Sequence, residues 1–189
     1  MSGEDIIHQR GAALESQFFA EVDAQLLADL QAELKRTEDT KALAVLSGIS
    51  DQTVLDALVA SGVSPAAFPA LRLFPLVAVA WADGLLDDNE RATVLAAADK
   101  HGVGKSTLSG AVLAGWLEKE PSQPLFEAWE SFAKALVGEL DSARAALVKQ
   151  SILKEVKEVA QASGGLLGWS AISKGENAIL NRIELALTR

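Results

Sequence analysis

The chain has no cysteine and no tyrosine. Without thiols it cannot form disulfides, carry out thiolate catalysis, or hold zinc or an iron–sulfur cluster through sulfur. Aromatic residues are only 5% of the chain; strands draw on them, so their scarcity favours helices. Cations are the minority: 17 Lys and Arg stand against 26 Asp and Glu, for a net charge of -9. The few cations are scattered, with no basic patch interleaved with aromatics. Nucleic acid is therefore not an expected partner, and anionic membrane surfaces are disfavoured for the same reason. The most apolar run, Leu73–Ala82, is about half of what a membrane span needs. Met1–Gly11 lacks a basic start followed by an apolar core. The expectation is a soluble, cytoplasmic protein with no signal peptide and no membrane insertion. His8 and His101 are the only histidines. Neither belongs to an H-E-x-x-H helix, and no G-x-S-x-G elbow exists.

What is present is Ala and Leu, the leading helix formers. The chain reads as all-α: a compact multi-helix bundle with a long N-terminal helix. From about Glu4 to Arg36, Leu14, Phe18, Val22, Leu26 and Leu30 recur every four residues, with Phe19, Leu27 and Leu34 beside them. Glu15, Glu21, Asp23, Asp29, Glu33 and Lys35 occupy the other face. Such a stripe packs either on its own domain or, with two adjacent Phe at 18 and 19, on a partner or a second copy. The expected division is residues 1–37 for this helix and 38–189 for a helical domain.

Shorter helices follow at about Thr40–Leu46 and at Asp51–Ala60 behind a Ser50 cap. Ser64 and Pro65 are placed to open the next one. Phe68–Ala82 is apolar on nearly all faces and should be the central buried helix, with Pro69 and Pro75 as candidate kinks. Helices are also expected at Asp88–His101, Ser106–Glu118, Leu125–Leu140, Ala143–Ala162 and Lys174–Leu187. The polar, two-proline stretch Glu118–Pro124 is the best linker.

The chain partly repeats itself. "VAWADG" (Val79–Gly84) returns 80 residues later as "VAQASG" (Val159–Gly164). Each copy is followed by a capping-box pattern, Asp87 with Glu90 and Ser173 with Glu176, in which the cap holds orphan amides and the Glu reaches back. The second copy has six extra loop residues. Two pseudo-repeated helix-loop-helix hairpins are expected, near residues 66–101 and 143–188.

The run "AWADGLLDDNERATVL" resembles the TerB-like family: tellurite-resistance TerB proteins and the N-terminal domain of membrane-anchored DnaJ-like co-chaperones. The shared pattern is Ala-x-Ala-Asp-Gly, a few residues, then Glu opening the next helix. Ala80, Ala82, Asp83, Gly84 and Glu90 carry it, most strongly over Val77–Leu95. Ser163 departs from it. The resemblance implies an all-helical fold with two such hairpins, a link to stress responses as an accessory or interaction domain, and metal binding by acids near the loops. It implies no common enzyme activity.

The acidic loop Trp81–Glu90 is the candidate site. An EF-hand fails in both registers: from Asp83 the third, sixth and twelfth positions are Leu85, Asp88 and Val94, and from Asp87 the fifth is Arg91. A looser hard-cation site, for Ca²⁺ or Mg²⁺, would use Asp83, Asp87, Glu90 and Glu176. The alternative is a capped turn, which accounts for Gly84, Asp87 and Glu90 but leaves Asp83 unexplained, since a helix C-terminus disfavours an anion. A hydrolase using paired carboxylates is the minor alternative. Partner contacts are expected at Asp88 and Trp169, the latter in the glycine-rich insert Gly164–Ala171, and at Phe18 and Phe19. Trp81, Trp116 and Trp129 read as packing residues. "HGVGKST" (His101–Thr107) imitates a phosphate loop, but Asp99 replaces the leading Gly and a helix precedes it, so it reads as a helix stop and a new cap. His101 reads as a favourable partner for the helix dipole. The function expected is a non-enzymatic interaction module with a protein partner, or an oligomer formed through the N-terminal helix.

Overall fold

The computed structural model describes the backbone of residues 3–162 and 173–188, and the side chains of those ranges from residue 21 onward except residue 23. Every regular element among them is an α-helix: α1 (Gly3–Ser47), α2 (Gln52–Ala60), α3 (Phe68–Leu71), α4 (Phe74–Ala80), α5 (Asp88–Lys100), α6 (Leu108–Glu118), α7 (Gln123–Glu139), α8 (Ser142–Ala162) and α9 (Lys174–Ala186). The chain divides into two compact units, Met1–Asp39 and Thr40–Arg189. Among the described residues no single helix is long and apolar enough to cross a membrane.

Several local expectations are corrected. The two N-terminal helices are one. No Gly or Pro lies between Arg36 and Thr40 to break the ladder, and the Thr37 hydroxyl donates back to the Glu33 carbonyl at 3.0 Å. The α2 cap is Asp51, not Ser50: its carboxylate accepts the Thr53 and Val54 amides. Ser64 caps as expected, its hydroxyl accepting the Ala67 amide at 3.3 Å, but Pro65 opens a turn over residues 65–67 and the helix begins at Phe68. The apolar run is not one kinked helix but two, α3 and α4, each with a proline in its first two positions. There a missing N–H costs nothing. The expected linker is shorter, residues 119–122, with α7 starting at Gln123.

The second unit is built around α4, all of whose residues are buried. It packs against α5, α8 and α9, while α8 packs against α5 and α9. The two hairpins, α4–α5 and α8–α9, therefore share one core. On their flank α2 lies on α7 and α3 on α6. Phe74 links the layers through edge-on contacts with Trp116 (5.7 Å between centroids) and Phe126 (5.6 Å). Trp129 is buried and Trp81 and Trp116 half-buried, as packing residues should be. Two side chains of the first hairpin finish α6: the Trp81 indole N–H donates to the Trp116 carbonyl (2.9 Å) and Arg91 to the Leu117 carbonyl (2.7 Å). These carbonyls belong to the last turn, which has no intrahelical donors.

Candidate functional site: the paired hairpin loops

Each hairpin turns on a capping box, as the sequence pattern requires. In the first, an Asp87 carboxylate oxygen accepts the Glu90 amide (2.7 Å) and Glu90 accepts the Asp87 amide (3.1 Å). In the second, the Ser173 hydroxyl oxygen accepts the Glu176 amide (3.1 Å) and Glu176 accepts the Ser173 amide (2.5 Å). Both glutamates are buried, at 4% and 6% exposure. Gly84 stops the first turn at φ +82, a left-handed conformation that side chains with a Cβ rarely adopt. The residue that resisted explanation, Asp83, is exposed, and its carboxylate accepts the Leu85 amide at 3.1 Å. It is the acceptor of an Asx turn, so it serves the loop geometry as Asn, Asp or Ser can.

The two loops meet. A Cβ at Gly175 would overlap the Ala82 carbonyl oxygen, so the absence of a side chain at this position lets the start of α9 lie against the end of the first repeat word. The approach is also felt electrostatically. Glu90 is pushed up to about 7, first by burial; the Asp87 backbone hydrogen bond opposes this, and the charges of Asp87, Asp83 and Glu176 add to it. A buried carboxylate near three others resists ionisation.

All four acids of the expected cation site are thus neighbours in field. Yet Asp83, Asp87, Glu90 and Glu176 each spend an oxygen on a backbone amide, and among the described residues no group of three or more His, Asp or Glu is placed to hold a metal ion. The expected hydrolytic use of the acidic-loop carboxylates fares similarly: Asp83 is exposed and holds the Leu85 amide, while Glu90 is buried and tied to the Asp87 amide rather than open to a cleft. A cavity of about 120 Å³ beside the first loop, between Trp81, Pro121, Phe126 and Arg182, is below the usual size of a ligand site. Its cation is engaged, since Arg182 forks onto Glu130 (both 3.0 Å) and lies over the Phe126 ring. Asp88 is exposed in the first turn of α5, where an anion suits the helix dipole. Trp169 and the side chains of Phe18 and Phe19 lie outside the described residues.

Two features went unread in the sequence. The first is Glu155, buried on α8 at 8% exposure. His101 Nε2 lies 2.9 and 3.0 Å from its two oxygens, and Lys100 donates to it at 3.1 Å. His101 is therefore a partner for α8 as well as the end of α5. Burial alone would raise Glu155, but the hydrogen bonds and charges of Lys100 and His101 outweigh it and hold the carboxyl below its usual range. The only trace in the sequence is a charge set among the apolar Ile152, Val156 and Val159 of the same helix.

The second is an apolar groove of about 670 Å³ in the second unit, bordered by the last turn of α1, α3, α7 and α8. Leu71, Trp129, Phe132 and Leu187 form its buried floor. Leu46 and Leu147 are exposed at its rim, and Arg72 at its edge is exposed and pairs with no described residue. In the first unit, Leu26, Leu27, Leu30 and Leu34 are 57–61% exposed. At 3.6 residues per turn they fall within an arc of about 100°. Asp29 and Glu33 follow one edge of that arc.

No family model matches the chain, and neither a curated protein nor a solved structure matches it.

Proposed function

We propose that the protein is a non-enzymatic, TerB-like helical interaction module that works through protein contacts in the cytoplasm. The observation that carries this reading is the uncovered leucine face of α1. Four large apolar side chains in contiguous helical positions stay more than half exposed, and such patches on water-facing helices are covered by a partner. The TerB-like part rests on Ala80, Ala82, Asp83, Gly84 and Glu90, and on the repeated capping boxes. In this reading the acidic loop is architecture: it fixes the angle between paired hairpins. The stress-response setting comes with the family likeness alone.

The test is a photo-crosslinking amino acid placed at Leu26 or Leu30 and activated in cells. The expected result is a discrete adduct larger than the single chain, lost on Leu34→Asp. Irradiation that yields only the single chain at every leucine position removes the interaction reading.

A further inference from the structure

The groove belongs to the second unit and the leucine face to the first, and they match. We propose that the groove beside Arg72 receives the Leu26–Leu34 face of α1 from a second copy of this chain, and that the exchange is reciprocal. The inference rests on the interaction reading and names its partner.

Shape comes first. A groove of about 670 Å³ with an aromatic and aliphatic floor is the kind of surface that takes an amphipathic helix by residues three, four and seven apart. Leu26, Leu27, Leu30 and Leu34 have that spacing. A twofold arrangement would make two such contacts at once, each chain giving a helix and taking one.

Charge selects the occupant. The protein is acidic, yet among the described residues no Asp or Glu lines the groove; its basic lining residues are Arg72 and His101, and His101 already holds Glu155. The helix face is edged by Asp29 and Glu33. The obvious rival, side-by-side pairing of two α1 helices, is disfavoured because residues 1–39 carry nine carboxylates against three Lys or Arg. Like charges brought together along a helix repel, whereas the groove offers those acids the Arg72 guanidinium, which pairs with no described residue.

The experiment is sedimentation equilibrium on the full chain, with Leu30→Asp, Leu147→Asp and Arg72→Glu variants. All three positions are exposed, and unchanged helical circular dichroism checks their folding. The expected wild type is a dimer. Leu30→Asp and Leu147→Asp each weaken it at least about tenfold. An equimolar mixture of those two variants recovers a heterodimer, because the intact helix of one fits the intact groove of the other. Arg72→Glu weakens the dimer, and adding Glu33→Arg restores it. A dimer that ignores Leu147→Asp but is lost with Leu30→Asp overturns the groove and leaves α1–α1 pairing. A wild type that stays monomeric into the hundreds of micromolar overturns the second copy. If the crosslinker at Leu26 then captures a different protein, the interaction reading stands without this one; if it captures nothing, both fail.

Discussion

Glu90 and Glu155 are both buried glutamates, at 4% and 8% exposure, yet their carboxyls move in opposite directions. Glu90 lies among Asp83, Asp87 and Glu176 and is raised to about 7. Glu155 meets Lys100 and His101 and is lowered. Burial pushes both the same way, so neighbours decide the outcome. The first region tolerates a charge it would rather shed at the cost of closing two hairpins tightly. The second uses a charge to tie α5 to α8.

The largest expected effect comes from breaking the favourable side. His101→Ala leaves Glu155 buried with only the exposed Lys100 as a side-chain partner, and should destabilise the fold by about 3 kcal/mol, read as a lower midpoint in urea. The acid limb should respond too. Glu155 has a lowered folded pKa, so its stabilisation is present above 4.5 and is lost as pH falls through the folded value. In His101→Ala that loss should begin at higher pH; an acid transition unmoved by the substitution would contradict the pairing.

Next is the contact that brings the hairpins together. Gly175→Ala drives a Cβ into the Ala82 carbonyl and should cost about 2 kcal/mol, since both atoms belong to the backbone frame or are fixed to it. Wild-type stability in this variant would mean that α9 is not closely seated on Ala82.

Glu90→Gln tests the unfavourable side. Gln still accepts the Asp87 amide, so the capping box survives. The wild-type acid has a folded pKa raised from 4.5 to about 7. Its contribution is fully present below 4.5 and is lost as pH rises through about 7. The variant should match wild type near pH 4 and melt about 3 °C higher near pH 8. Equal melting temperatures at pH 8 would show that Glu90 is not under strain there. The smallest effect belongs to Asp83→Asn, which keeps the Asx acceptor and should change stability by less than about 0.5 kcal/mol. The same variant should show no calcium- or magnesium-dependent difference from wild type in calorimetry; a cation heat abolished by it would restore the metal reading.

The legible part of the molecule is the part written in neighbouring residues. Capping boxes link positions three apart, Gly84 ends a turn by its own φ, and Ala and Leu set the helices through local propensity. The all-α class, the hairpin starts at Asp87 and Ser173, and the buried run around Phe74–Ala80 were all available from the sequence for that reason. Local errors came where two short-range signals competed: Ser50 against Asp51 as a cap, or prolines that could kink a helix or begin one.

Tertiary structure alone decided which buried acids repel and which are paired, because Glu176 lies 86 residues from Glu90 and His101 lies 54 from Glu155. It decided that Asp83 serves the loop, that Gly175 is a point of close approach, and that residues from four helices form one groove. Such features depend on distances between elements far apart in the chain, and no local periodicity encodes them.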